Sequence, residues 1–216
     1  MTNWEKQTAG RFIVIDGPDG AGKSTQVARL AERIEAAGVP VTAVRDPGGT
    51  AIGDRIRAIL LDKAHAEMAV ECELMLYMAS RAQLVAQIVR PALAAGHCVL
   101  SDRYISSTVA YQGAAGADTA AVRAVAEVAV GGLWPDLTVL IDVPSELGLK
   151  RLTGPADRME SKDLRFHEKV REIFGQMVLM SDHSPNQYGL YKQIDGVGDI
   201  ETVHERVAKA LSAHFA

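Results

Sequence analysis

The sequence predicts one α/β domain: a doubly wound sheet of about five parallel strands with helices on both faces and a short lid. Three observations lead there. Short apolar, β-branched runs alternate with amphipathic helical stretches along the chain. The first such run, Phe12 to Ile15, breaks directly into Gly17-Pro18-Asp19-Gly20-Ala21-Gly22-Lys23-Ser24-Thr25 and then into a helical pattern. Later in the chain a charged, breaker-rich segment, Gly154 to Glu160, separates two helices, as a lid does.

The bulk numbers fit a soluble enzyme. A chain of 216 residues is long enough for one domain with a large core. With 48% hydrophobic and 23% charged residues it is neither disordered nor membrane-embedded. A net charge of −4 argues against a general nucleic-acid-binding surface, which needs a clustered basic excess. Cys72 and Cys98 lie in apolar runs without metal-type spacing, so both are expected as buried, reduced thiols, consistent with a cytoplasmic protein. The six histidines form no ligand cluster, and no protein-held zinc site is expected. Residues 1–10 read as a polar, disordered leader without a signal-type apolar stretch, residues 11–216 as the domain, and about 152–164 as the lid.

Element by element, the segment from Gly17 to Ser24 has the spacing G-x-x-x-x-G-K-[ST] after a buried strand and before the helix Gln26 to Ala36. Glycines let successive backbone N–H groups converge on an anion at the positive end of that helix. Lys23 can reach the β/γ-phosphates of a nucleoside triphosphate, and Ser24 offers a hydroxyl to Mg²⁺. Gly38 closes the helix, and Val39 to Arg45 is the second strand, with Pro40 near its start. The loop Asp46 to Thr50 leads into a helix from Ala51 to Leu61. It reads either as a plain connection beside solvated arginines or as placing Arg45 and Arg57 at the phosphate mouth, outside the carboxyl ends of the strands.

Glu67 to Ala95 has a long helical period interrupted at Pro91; Tyr77 and Arg81, four apart, share a face that is either core or base-stacking surface. His97 to Leu100 is a strand ending in Ser101-Asp102-Arg103. Asp102 there is placed to hold Mg²⁺ directly or through water and Arg103 to meet a phosphate, with a simple strand-end ion pair as the alternative. Asp118 caps a helix to Val130, Leu137 to Val143 is the fourth strand, and Ser145 to Arg151 is a helix before the lid. Phe166 to Met180, Tyr188 to Ile194 and Ile200 to Phe215 complete the chain as helix, strand and helix.

These residues resemble one family closely. Phe12 to Thr25 (FIVIDGPDGAGKST), Arg45 to Thr50 (RDPGGT) and Ser101 to Gly113 (SDRYISSTVAYQG) are similar to the motifs of the bacterial thymidylate kinases. Pro135 to Val143, Asp157 to Glu160 (DRME) and Phe166 to Phe174 extend the likeness over nearly the whole chain. The resemblance implies phosphoryl transfer from ATP to dTMP, with ATP on residues 17–25 and Mg²⁺ at Ser24 and Asp102. It implies that Asp19 holds the sugar 3′-hydroxyl and that Arg45 and Arg103 grip the acceptor phosphate. Tyr77 would stack on thymine, Arg81 would bond a base carbonyl, and Thr108, Tyr111 and Gln112 would line the rest of the dTMP site. Tyr111 would crowd the position of a ribose 2′-hydroxyl.

Because Gly20 replaces the P-loop arginine of the eukaryotic type, the catalytic cation is expected from the lid, with Arg158 as first candidate and Arg151 or Lys150 behind it. Asp46 departs from the family's glutamate, and Leu152 to Pro155 lacks the arginines often present early in the lid. A homodimer is also implied, with the helix from Leu74 to Ala95 able to pack on itself. Three rival readings remain open: a small P-loop kinase with another acceptor, a catalytically dead dTMP-binding homologue, and a GTPase switch. Against the switch, Asp46-Pro47-Gly48-Gly49 fits D-x-x-G but the chain has no N-K-x-D.

Overall fold

A computed structural model of the protein describes residues 4–183 and 189–216. Five strands form one all-parallel sheet: β1 (Phe12–Asp16), β2 (Val41–Arg45), β3 (Cys98–Asp102), β4 (Leu137–Asp142) and β5 (Tyr191–Asp195), in the spatial order β2-β3-β1-β4-β5. Parallel neighbours require crossovers, and the helices supply them. They are α1 (Lys23–Ala36), α2 (Ala51–Leu61), α3 (Val70–Leu84), α4 (Arg90–Ala94), α5 (Ile105–Ala114), α6 (Thr119–Val130), α7 (Ser145–Arg151), α8 (Leu164–His183) and α9 (Ile200–Phe215). A π-helical turn over Val85–Val89 joins α3 to α4, so the long period read across Pro91 is one continuous helical stretch.

The central strands are buried on both faces, and the two-residue alternation divides their side chains between two cores. Phe12, Val14, Val99 and Leu140 pack with α3, α5, α6 and α8, while Ile13, Ile15, Leu100, Val139 and Ile141 pack with α1 and α9. Burial of both sets fixes the register, for instance Ile13 opposite Leu100 on β3 and Leu137 on β4. Asp118 caps α6 through the backbone N–H groups of Ala120 and Ala121, and Gly131 ends it in the left-handed conformation.

Three expectations change. Residues 4–10 are not a disordered leader: Trp4–Thr8 forms a 3₁₀ turn, Trp4 is 4% exposed in the α1/α9 core, and Arg33 of α1 lies over its ring at 5.1 Å. Glu5 pairs with the same arginine at 2.7 Å, so polar neighbours disguise an apolar anchor. Of the two cysteines, Cys98 is buried within β3, but Cys72 is exposed near the start of α3. Burial pushes the Cys98 thiol up to about 11. The last strand begins at Tyr191; the expected start, Tyr188, lies outside the described residues. No described helix is long and apolar enough to cross a membrane.

Candidate active site

Carboxyl ends of β1, β2 and β3 open onto a cleft of 1440 Å³, and behind it lies a smaller cavity of 120 Å³. Asp19, Asp46, Arg57, Arg103 and Glu160 line both. The cleft is floored by Asp19 to Gln26, the loop and first turn that follow β1. Two glycines make that loop possible. Gly17, at φ 139°, would place a Cβ 2.3 Å from Ile141 O, and Gly20, at φ 72°, would place one 1.9 Å from Gly148 O of α7, so only hydrogen fits at either position.

Lys23 is 7% exposed, and its Nζ donates to Pro18 O at 2.7 Å. Burial, and next the nearby Arg103 charge, lower its pKa to about 8 despite the opposing influence of Asp19. Ser24 Oγ donates to Asp102 Oδ2 across the cleft floor. These are hard oxygen donors, the set that Mg²⁺ prefers, so the residues present fit that ion.

Arg103 follows β3 at φ 72°, in the left-handed region that non-glycine residues rarely adopt. Its own N–H donates to Ile15 O at 3.1 Å, and Ser101 Oγ donates to its carbonyl at 2.7 Å, so the backbone is held from both sides. The resulting direction sends the guanidinium back over the Tyr111 ring at 5.2 Å, to Ser107 Oγ at 3.0 Å and to Asp19 Oδ1. Asp19 Oδ2 is buried and makes no hydrogen bond among the described residues; His167 Nδ1 lies 3.8 Å from it. Burial works against the Asp19 carboxylate, but Arg103 and Lys23 outweigh it and hold its pKa below the usual range.

Tyr77, Arg81, Thr108, Tyr111 and Gln112 converge on the small cavity from α3 and α5. Arg81 is 1% exposed and heavily committed: Nε to Asp46, and one terminal nitrogen to Tyr104 O at 3.1 Å and Thr108 Oγ1 at 3.0 Å. Asp46, the departure from the family's glutamate, is therefore the counter-ion of a buried arginine. Arg57 reaches both cavities, whereas Arg45 is exposed and lines only the cleft.

Arg158, the first candidate for the catalytic cation, lines neither cavity. It is 5% exposed, bonded to Glu73 of α3 and, through Nε, to Leu60 O at 2.7 Å. In this structure the loop that carries it is tied down. Asp157 Oδ1 accepts from Met159 and Glu160 N–H at 2.8 and 2.9 Å, Glu160 Oε2 accepts from Asp157 N–H at 3.0 Å, and Met159 is buried in the core. Arg151, at the end of α7, does line the cleft, donating to Gly196 O at 3.2 Å.

Sequence reasoning missed several contributors. Asp16, at the end of β1, accepts from Gly17 N–H at 2.8 Å and Ser107 Oγ at 2.7 Å, bracing the loop against α5. Gly198 to Glu201 wall the cleft from a remote part of the chain that carries no motif. A carboxylate ending an otherwise apolar buried strand was a usable signal for Asp16; for Gly198 to Glu201 there was none.

Residues 15–206 match the family model described as thymidylate kinase. The chain is 50% identical over 168 residues to the thymidylate kinase of Deinococcus radiodurans, covering 76% of this chain and 81% of that protein. It is 43% identical over 208 residues to the thymidylate kinase of Caldanaerobacter subterraneus subsp. tengcongensis, covering 95% and 97%. Against that of Rhodopirellula baltica it is 43% identical over 200 residues, covering 92% and 79%.

Proposed function

The chain belongs to the thymidylate kinase family, and from that premise we propose how its residues carry out ATP-dependent phosphorylation of dTMP to dTDP. The carrying observation is the shared wall: Asp19, Arg57 and Arg103 border both the P-loop cleft and the cavity behind it, where a donor and an acceptor phosphate would meet.

ATP occupies the cleft, its phosphates on the N–H groups of residues 19–25. Lys23 exchanges Pro18 O for the β/γ-phosphates. Ser24 and Asp102 would hold Mg²⁺, which when bound supplies charge neutralisation between the phosphates. In the inner cavity Arg103 and Arg57, with Arg45 outside it, receive the dTMP phosphate. Asp19 Oδ2 accepts from the sugar 3′-hydroxyl, Tyr111 packs where a 2′-hydroxyl would project, and Tyr77, Arg81, Thr108 and Gln112 surround the base. The attacking oxygen already belongs to a phosphate, so positioning and charge carry the reaction and no general base is assigned. Arg151 is the lid-side cation, supported by its place on the cleft wall.

The protein is a homodimer of the cytoplasm in this reading. Exposed Ile52 and Ile59 on α2, Met75 on α3 and Val128 on α6, helices that pack α2 on α3 and α3 on α6, support an apolar face for a second copy. Light scattering that finds a monomer at micromolar concentration counts against that face. The substrate reading is tested by ADP release across dTMP, dUMP, dGMP, AMP and CMP: dTMP should be turned over most efficiently, and a better acceptor among the others replaces it.

A further inference from the structure

Glu73 of α3 is 4% exposed, and both of its carboxylate oxygens are engaged behind the inner cavity. Oε1 accepts from Gln112 Nε2 of α5 at 2.7 Å, and Oε2 accepts from the guanidinium of Arg158 in the docked lid loop. The Arg158 backbone N–H also donates to Leu61 O at 3.1 Å, so the loop is anchored to the ends of two helices. We propose that Glu73 is a positioning residue: it fixes the orientation of the Gln112 amide and so makes the cavity select a base edge bearing an N–H donor, as thymine has at N3, over one bearing an acceptor there, as cytosine has.

This rests on the reading of the inner cavity as the dTMP site. A carboxylate paired with arginine can only accept hydrogen bonds, so the nitrogen of the Gln112 amide must face Glu73. The carbonyl oxygen is then the acceptor left for the cavity that Gln112 lines. Turning the amide over would set two oxygens together in a buried site, where an unmet polar group is costly. Arg158 keeps this arrangement one-sided by neutralising the carboxylate from behind. It therefore acts on the acceptor base through Glu73 and not on the transferring phosphoryl group.

The test is kcat/KM for dTMP and dCMP in the wild type, Glu73→Gln, Gln112→Leu and the double variant. An amide at position 73 can donate as well as accept and frees Gln112 to turn. The dTMP:dCMP ratio should fall at least about tenfold in Glu73→Gln, mainly through the KM for dTMP, and the double variant should match Gln112→Leu alone. A Glu73→Gln ratio within about threefold of wild type overturns the proposal. So does a further drop when Glu73→Gln is added to Gln112→Leu, because that is a packing effect. Failure of the wild type to use dTMP would instead defeat the substrate reading. If Glu73→Gln does not fold, the wild type decides by NMR. The Gln112 side-chain amide protons, assigned by their absence in Gln112→Leu, should exchange slowly with solvent; exchange at the rate of an exposed glutamine overturns the proposal.

Discussion

The two cavities are built by opposite means. The donor cleft is backbone-built: strand ends, a glycine loop and a helix start, with Lys23, Ser24 and Asp102 added as point charges. The acceptor cavity is side-chain-built, and its wall residues are held by ion pairs, buried for Arg81 with Asp46 and for the Glu73–Arg158 pair behind Gln112, half-buried for Arg103 with Asp19. Stability and function separate along this line. A charge added to a rigid backbone loop can be removed with little effect on folding. A charge that is half of a buried pair cannot, because its partner is left unsatisfied in low dielectric.

Breaking the donor side should give the largest effect on rate. Lys23→Ala should lower kcat by about 10³ or more, the scale for removing one preorganised charge-stabilising group. Its unfolding midpoint should stay the same or rise, because a partly desolvated ammonium is removed. ADP release and urea unfolding on one preparation measure both; retention of a tenth of wild-type kcat would remove Lys23 from the mechanism.

Breaking the acceptor side should cost stability first. Asp46→Ala strands the Arg81 charge and should destabilise by about 3–5 kcal/mol, read as a lower urea midpoint. An unchanged midpoint would mean that the pair is solvated and the comparison false. Between the two lies the lid. Arg151→Ala should lower kcat by about 10² with an unchanged midpoint, like a donor-side residue. Arg158→Ala should lower the midpoint, like an acceptor-side one. The reverse pattern in kinetics and unfolding would return the lid cation to Arg158.

The smallest effect is a pH dependence that sharpens the contrast within one residue. Lys23 binds phosphate as the cation, so kcat/KM for ATP should decline as pH rises through about 8 in the free enzyme. Bound phosphates favour the charged form, so the corresponding fall in kcat should lie at higher pH. Stability runs the other way. With its folded pKa below the unfolded value of 10.5, Lys23 binds fewer protons in the folded chain between pH 8 and 10.5, and its contribution to stability rises across that window. A kcat/KM profile flat to pH 10 would show that the lysine is not desolvated.

Legibility in the sequence follows the same division. The sheet, its helices and the residues that floor the cleft could be read because each depends on neighbours in sequence: a strand breaking into glycines, or a carboxylate at a strand end. Glu73 could not be read, since Glu71 and Glu73 are alike in sequence and only packing shows that one is exposed and the other buried. The docking of Arg158 was not legible because breakers and charges signal a loop, while the reciprocal bonds between Asp157 and Glu160 and the burial of Met159 appear only in the folded chain. Trp4 was overlooked because one aromatic among polar residues has no periodicity to reveal the face it covers.

The approach of Gly20 to Gly148 has a consequence for how this chain can vary. A Cβ at Gly148 would lie 2.2 Å from Asp19 O, as one at Gly20 would lie 1.9 Å from Gly148 O, and in both cases the obstacle is main chain that cannot rotate away. No second substitution can relieve such a clash by shrinking a neighbour, because there is no side chain to shrink. In a library that randomises α7 and the loop after it, Gly148 should therefore tolerate replacement as poorly as Gly20. An alanine scan would mistake that intolerance for a role in chemistry, although what the position preserves is the clearance between two stretches of main chain.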